Sequence, residues 1–191
     1  MINSASFPRI KYLSKEELER FFLSIKSPRD RALFGIIYLY GLRVSEAAIL
    51  KLDDLDLERK RLFIHRVKGG VGGERPLFKT VEKLLERYLK VRVENGNALF
   101  TGRQGSIKRQ RIQQLFKEYV YKAGLDRRFT VHCLRHSIAT HLLDAGEGIE
   151  FIKDHLGHRN IQNTMIYAQL TDRKREEVYK RLEDSNEIAK I

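Results

Sequence analysis

Apolar residues recur at helical spacing along most of this 191-residue chain and at strand spacing in one stretch. Ser14 and Glu17 have the spacing of a capping box, and Leu18, Phe21, Phe22 and Ile25 then mark one helical face. Residues 30–40 carry Leu33, Phe34, Ile36, Ile37 and Leu39, which predicts a buried helix stopping near Gly41. A short helix over 44–50 follows directly. The period then changes. Leu62 to Val67 reads as a strand, a turn holding Gly69, Gly70, Gly72 and Gly73 follows, and residues 75–78 form the return strand of a hairpin. Helical patterns resume at 79–93, 106–122, 131–145, 149–156 and 172–184. Ser106 has the chemistry of an N-cap, and Gly124 and Gly146 that of helix stops. The expected fold class is mostly α with a small antiparallel β-hairpin or sheet. Residues 1–13 read as a linker-like lead-in, 14–184 as the domain, and 185–191 as a tail.

Charge adds a partner to this picture. The 37 Lys and Arg against 25 Asp and Glu leave a net +12, an excess that favours a polyanion such as nucleic acid. Hydrophobic residues are 42% of the chain, which excludes a disordered tail. One cysteine, Cys133, rules out an intramolecular disulfide and fits a reducing cytoplasm. No apolar run approaches the ~20 residues that cross a bilayer, and residues 1–8 lack the features of a signal peptide. The expected location is cytoplasmic, away from membranes.

Several side chains can carry chemistry. His132 and Arg135 are three apart on the 131–145 helix and can point from one face into one site, while Cys133, Ile138 and Leu142 face the core. His132 and His136 have zinc-chelating spacing, but Cys133 stands where a zinc protease helix needs its glutamate, and no plain third ligand follows. Neither a metal nor another cofactor is expected. Arg43 can be anchored by Glu46 one turn on, which would fix its planar fork for a phosphate. Taken alone, a plain Arg–Glu surface pair accounts for those two residues better. Lys68 lies at the mouth of the glycine-rich turn, where it could protonate a leaving oxygen or simply be solvated. Tyr167 is one of eight tyrosines, and a phenol with a pKa near ~10 needs neighbouring cations to act as a nucleophile at neutral pH.

Three blocks, in order, resemble the catalytic domain of the tyrosine recombinases, the phage-integrase and Xer-like strand-exchange enzymes. They are Gly41-Leu42-Arg43-Val44-Ser45-Glu46, then His132-Cys133-Leu134-Arg135-His136-Ser137, then Leu156-Gly157-His158 with Tyr167 nine residues on. The resemblance covers about residues 14–183. It implies that Arg43 and Arg135 clamp a scissile phosphate, that His132 and His158 assist proton transfer and phosphate binding, and that Lys68 is the general acid for the 5′-oxygen. It implies Tyr167 as the nucleophile of a 3′-phosphotyrosyl link, with Glu46 and His136 in support. Because the covalent link stores the phosphodiester energy, neither ATP nor metal is required. The chain departs from the family at its hairpin, where Val71, Gly72 and Gly73 replace more usual charge. The family's separate N-terminal DNA-clamping domain is also not expected within this chain.

The implied partner is double-stranded DNA, with Arg103, Lys108, Arg109 and Arg111 as candidate contacts in a basic, amide-rich stretch over 103–114. A solvated helix face explains that stretch equally well. The family further implies a tetramer on DNA, assembled through the C-terminal segment 172–191; a terminal helix packed on its own domain is the alternative. Two other activities fit the same residues. One is nicking and closing like a type IB topoisomerase; the other is a catalytically silent DNA-binding regulator, against which the complete set of Arg, His and Tyr argues.

Overall fold

The structure, a computed structural model, describes residues 10–67, 69–168 and 180. Helix α1 (Lys15–Ser24) starts at the expected capping box: Glu17 N donates to the Ser14 hydroxyl and Ser14 N to the Glu17 carboxylate. Helix α2 (Pro28–Leu39) is capped by Ser27 and has proline in its first turn, where the missing N–H costs nothing. Ala32, Leu33, Phe34, Ile36 and Ile37 on α2 are fully buried. Each large one contributes roughly 1.5–3 kcal/mol relative to exposure, so α2 is the central element of the core. It packs against α4 (Lys79–Leu89) and α6 (Val131–Asp144). Helix α3 (Val44–Ala48) follows α2 after a turn in which Gly41 has φ +56°, and it packs on α5 (Arg109–Lys122). Helices α7 (Ile149–Leu156) and α8 (Gln162–Ala168) close a second, smaller apolar cluster of Ile138, Ala139, Leu143, Ile152, Leu156 and Tyr167.

A three-stranded antiparallel sheet, β1 (Leu55–Asp56), β2 (Arg61–Ile64) and β3 (Gly73–Pro76), carries the expected hairpin. Its strands are displaced from the expectation. β2 ends at Ile64, because His65 and Arg66 leave the ladder and Arg66 turns inward. The register Ile64↔Gly73 then places the return strand two residues early, so that Leu77 and Phe78 lead into α4. Strand β1 was not anticipated; two residues are too few to show a period.

Ser106 is not an N-cap. It lies in β5 (Gly105–Ser106), paired with β4 (Thr101–Gly102) across an Arg103–Gln104 turn, and α5 begins only at Arg109 after Lys108. Gly105, with φ +80°, permits this turn. Gly124 and Gly146 do sit just beyond helix ends, with φ +64° and +101°. The lead-in is docked where it is described: Leu13 is fully buried and its amide donates to Ser137 Oγ at 2.8 Å. The expected 172–184 helix lies outside the described residues, Lys180 excepted.

Candidate active site

The turn after α2 places Arg43 at the start of α3, and the helix geometry brings Glu46 back beneath it. Arg43 Nη1 donates to Glu46 Oε1 and Arg43 N to Glu46 Oε2, both at 2.8 Å. Arg43 keeps a quarter of its side chain exposed, whereas that of Glu46 has none. A buried carboxylate must be paired, and this one faces three guanidinium groups. Arg66 Nη1 donates to Oε2 at 2.9 Å, Val67 N to Oε1 at 3.3 Å, and Arg135 Nη1 stands 4.0 Å from Oε2. Burial pushes the Glu46 pKa up. The Arg43 amide, the charge of Arg66 and hydrogen bonds from both arginines outweigh that and hold it below the usual carboxylate value. Glu46 is therefore an anion, and three cations around it leave a surplus of positive charge.

Arg135 comes from α6 and is only 1% exposed. Its Nη1 donates to Gly41 O, and its Nη2 to Leu156 O at 3.0 Å. Burial, then Arg43 and Arg66, push its pKa down to about 10, so it stays charged at neutral pH. The guanidinium thus fastens α6 to the end of α2 and to the end of α7.

Helix α7 ends at Gly157 in the left-handed conformation, φ +66°. That turn carries His158, whose Nδ1 lies 2.9 Å from the fully buried Thr164 hydroxyl. Burial, followed by Arg135, Arg43, Arg66 and His132, lowers the His158 pKa to about 4. His132 lies at the solvent edge of α6; desolvation, then Arg135 and Arg43, hold it below its usual value. The rings of His132 and His136 meet edge to face at 4.5 Å. His136 Nδ1 lies 2.8 Å from the hydroxyl of Tyr167, itself 1% exposed. Burial pushes the Tyr167 phenol up to about 12, against the pull of Arg135 and Arg43. Burial, then His132 and Arg135, lower His136 to about 4. At neutral pH the pair is a neutral phenol and a neutral imidazole. Among the described residues no three His, Cys, Asp or Glu side chains converge as a metal site requires.

Arg43, Glu46, His132, Arg135, His136, His158 and Tyr167, spread over 125 positions of sequence, thus share one electrostatic neighbourhood. Lys68 lies outside the described residues. Arg103, Lys108, Arg109 and Arg111 do not form one helix face. Arg103 sits in the β4–β5 turn, and Arg103, Lys108 and Arg111 line an open groove together with Arg29; Arg109 is exposed but does not line it. Arg111 is paired with Glu118 at 2.8 Å, which leaves Arg103 and Lys108 the freer cations. Sequence reasoning missed Arg66 and Thr164. An arginine inside a strand pattern gives no sign of burial, and a threonine six residues after His158 is at no helical spacing from it; the two meet because the chain turns between α7 and α8.

Residues 11–174 match the model of the phage integrase family. Tyrosine recombinase XerA of Pyrococcus horikoshii is 36% identical over 165 residues, covering 84% of this chain and 57% of that protein. Tyrosine recombinase XerD of Listeria monocytogenes is 33% identical over 184 residues, covering 89% and 61%. The crystal structure of a XerA recombinase superposes with a TM-score of 0.80 at 30% identity, over 92% of this chain and 66% of that one. XerH bound to its palindromic difH substrate, a post-cleavage complex, gives 0.78 at 27% identity, over 95% and 56%. The chain spans little more than half the length of the curated relatives it matches.

Proposed function

This chain belongs to the phage integrase family, and on that premise we propose that it is a site-specific DNA recombinase that cuts and rejoins strands through Tyr167. The observation that carries the reading is the excess of guanidinium charge around Glu46 next to a buried tyrosine–histidine pair. A scissile phosphodiester brings the negative charge that completes such a cluster, and fixed cations stabilise the charge that grows on its oxygens in the transition state.

Arg43, the exposed arginine of the cluster, receives the phosphate, and Arg135 adds its charge from behind. The Tyr167 oxygen attacks phosphorus and forms a 3′-phosphotyrosyl bond; the bond to the 5′-oxygen breaks and leaves a 5′-hydroxyl. The phenolic proton passes to His136, whose Nδ1 is already in hydrogen-bond contact. Lys68, within the hairpin loop by its sequence position, is the proposed donor to the 5′-oxygen. His132 and His158, neutral at pH 7, hydrogen-bond the phosphate and assist proton transfer. Attack by a 5′-hydroxyl from a second site reverses the step and exchanges strands, with no ATP or metal in the balance. Tyr167 and Arg135 are each 1% exposed, so DNA engagement requires the groups that cover them to move while Tyr167 stays bonded to His136.

Residues 14–184 form the proposed catalytic unit. It acts in the cytoplasm; among the described residues no helix is long and apolar enough to cross a membrane. Tetramer assembly through 172–191 belongs to the same proposal. The groove of Arg29, Arg103, Lys108 and Arg111 supplies contacts to the DNA backbone, and the exposed face of α5 with Gln110, Gln113 and Gln114 suits base edges. The test is recombination between two copies of the native target on one plasmid with EDTA present. Site-dependent inversion or deletion supports the reading. Relaxation of plasmids lacking the target, without recombination, would instead indicate a type IB topoisomerase-like enzyme.

A further inference from the structure

The β2–β3 hairpin sends one arginine away from solvent. Arg66 has a side chain 1% exposed, beside a Glu46 side chain with no exposure. Its Nη1 donates to Glu46 Oε2 at 2.9 Å and to Gly41 O at 3.4 Å; its Nη2 donates to His155 O at 2.6 Å and to Tyr40 O at 3.0 Å. Both terminal nitrogens are engaged by protein groups, and the group cannot reach DNA. Two glycines make room for it. A Cβ on Gly157 would stand 2.8 Å from Arg66 Nε, and one on Gly70 would stand 2.9 Å from Arg66 Cβ. Gly157 is also the residue before His158.

From this geometry we infer that Arg66 is a positioning residue for the cleavage proposed above: through Glu46 it sets the guanidinium of Arg43, and it locks that setting to the turn carrying His158. Glu46 has two oxygens and two charged arms. Arg43 Nη1 takes Oε1, while Arg66 shares Oε2 with the Arg43 amide, so the side of the carboxylate away from the Arg43 fork is held from behind by Arg66. Without Arg66 the carboxylate can rotate toward Arg135, which already stands 4.0 Å away, and Arg43 loses its orientation. The carbonyls of Tyr40 and His155 tie the same guanidinium to the ends of α2 and α7. One buried cation thereby registers Arg43 and His158 against each other. Lysine cannot reproduce this, because it lacks the planar fork that spans a carboxylate and two carbonyls.

The inference rests on the proposed recombinase reading, and the experiment separates the two. Single-turnover formation of the covalent adduct on nicked target DNA is measured for wild type, Arg66→Met, Arg43→Ala and the double variant, with DNA affinity and Tm measured alongside. Arg66→Met is expected to slow cleavage about a hundredfold, the size of effect of a misplacement near 1 Å, while the DNA Kd stays within about threefold, the rim charges being intact. In the Arg43→Ala background the same change is expected to add less than about threefold, because the two act on one group. Should Arg66→Met prove unfolded, Arg66→Lys serves in the same cycle, since it keeps a cation beside Glu46. Losses that multiply across the cycle overturn the inference, as does a wild-type cleavage rate in a folded Arg66 variant. A wild-type protein that forms no adduct on its native target overturns the recombinase reading itself.

Discussion

A 2.8 Å hydrogen bond joins the hydroxyl of Tyr167 to Nδ1 of His136, between a helix of the central core and the last described turn of the chain. Both groups are uncharged at neutral pH, for the same reason: burial pushes the phenol up to about 12 and the imidazole down to about 4. The bond satisfies a hydroxyl that would otherwise be buried without a partner, and it gives the phenolic proton a place to go. His136→Ala therefore has two expected effects. Stability falls by about 1–3 kcal/mol, from the orphaned hydroxyl, and adduct formation slows by about 10²–10⁴, the range of a lost general base. Urea unfolding and single-turnover cleavage measure the two separately. A normal cleavage rate in a destabilised variant would reduce His136 to a structural contact.

How much of this was readable beforehand follows from what each residue's neighbours are. The α1 cap, the buried α2 and the hairpin were legible because each rests on a local period or a cap of three or four residues. Arg43, Glu46, His132, Arg135, His158 and Tyr167 stand out as a set only through the resemblance of three blocks to the tyrosine recombinases; their placement in one neighbourhood comes from the folded chain. Ser106 misled because an N-cap residue and a turn residue are the same chemistry, and only the pairing of Thr101 with Ser106 distinguishes them. Arg66 was illegible for a different reason. Besides Glu46, 20 positions away, its partners include the carbonyls of Tyr40 and His155, 26 and 89 positions away, and backbone carbonyls carry no sequence signature.

The two proposed phosphate arginines should separate in a stability assay. Arg43→Ala removes a side chain a quarter exposed and leaves Glu46 paired with Arg66; its Tm is expected within a few degrees of wild type. Arg135→Ala orphans the carbonyl of Leu156, leaves that of Gly41 only the 3.4 Å bond from Arg66, and is expected to cost about 3–5 kcal/mol, the range for breaking buried charge networks. Both are expected to lower cleavage by at least a hundredfold, and the double variant by much less than the product.

Acid should destabilise the fold in a defined window. His136, His155 and His158 all have folded pKa values lowered to about 4, each chiefly by burial, from an ordinary value of 6.5. Between those values the unfolded chain binds more protons than the native one, so the contribution of these histidines is complete above about pH 6.5, falls as pH drops, and levels off below about 4. Each histidine contributes a slope of up to about 1.4 kcal/mol per pH unit inside the window. Unfolding followed from pH 7.5 to 4 should show that decline, and His155→Gln should make it shallower. An unchanged slope in that variant would contradict the assignment.

DNA affinity should fall steeply with salt, and the open groove should account for part of it. Arg103→Ala and Lys108→Ala are each expected to reduce the magnitude of the log–log salt slope by about 0.9 if each contacts one phosphate. Arg111→Ala, already paired with Glu118, should change it less. No change at any of the three would move the DNA path away from this groove, whereas an equal loss at Arg111 would mean that it leaves Glu118 for a phosphate.

The central claim is that Tyr167 is the nucleophile, and a suicide-substrate assay tests it most directly. The protein is incubated with nicked DNA from its own genomic neighbourhood in the presence of EDTA, and the denatured products are resolved and digested for peptide mass mapping. The expected result is a covalent adduct on the peptide containing Tyr167, absent in Tyr167→Phe while that variant binds the same DNA as tightly as wild type. An adduct mapped to another residue, or one that persists in Tyr167→Phe, would contradict the account.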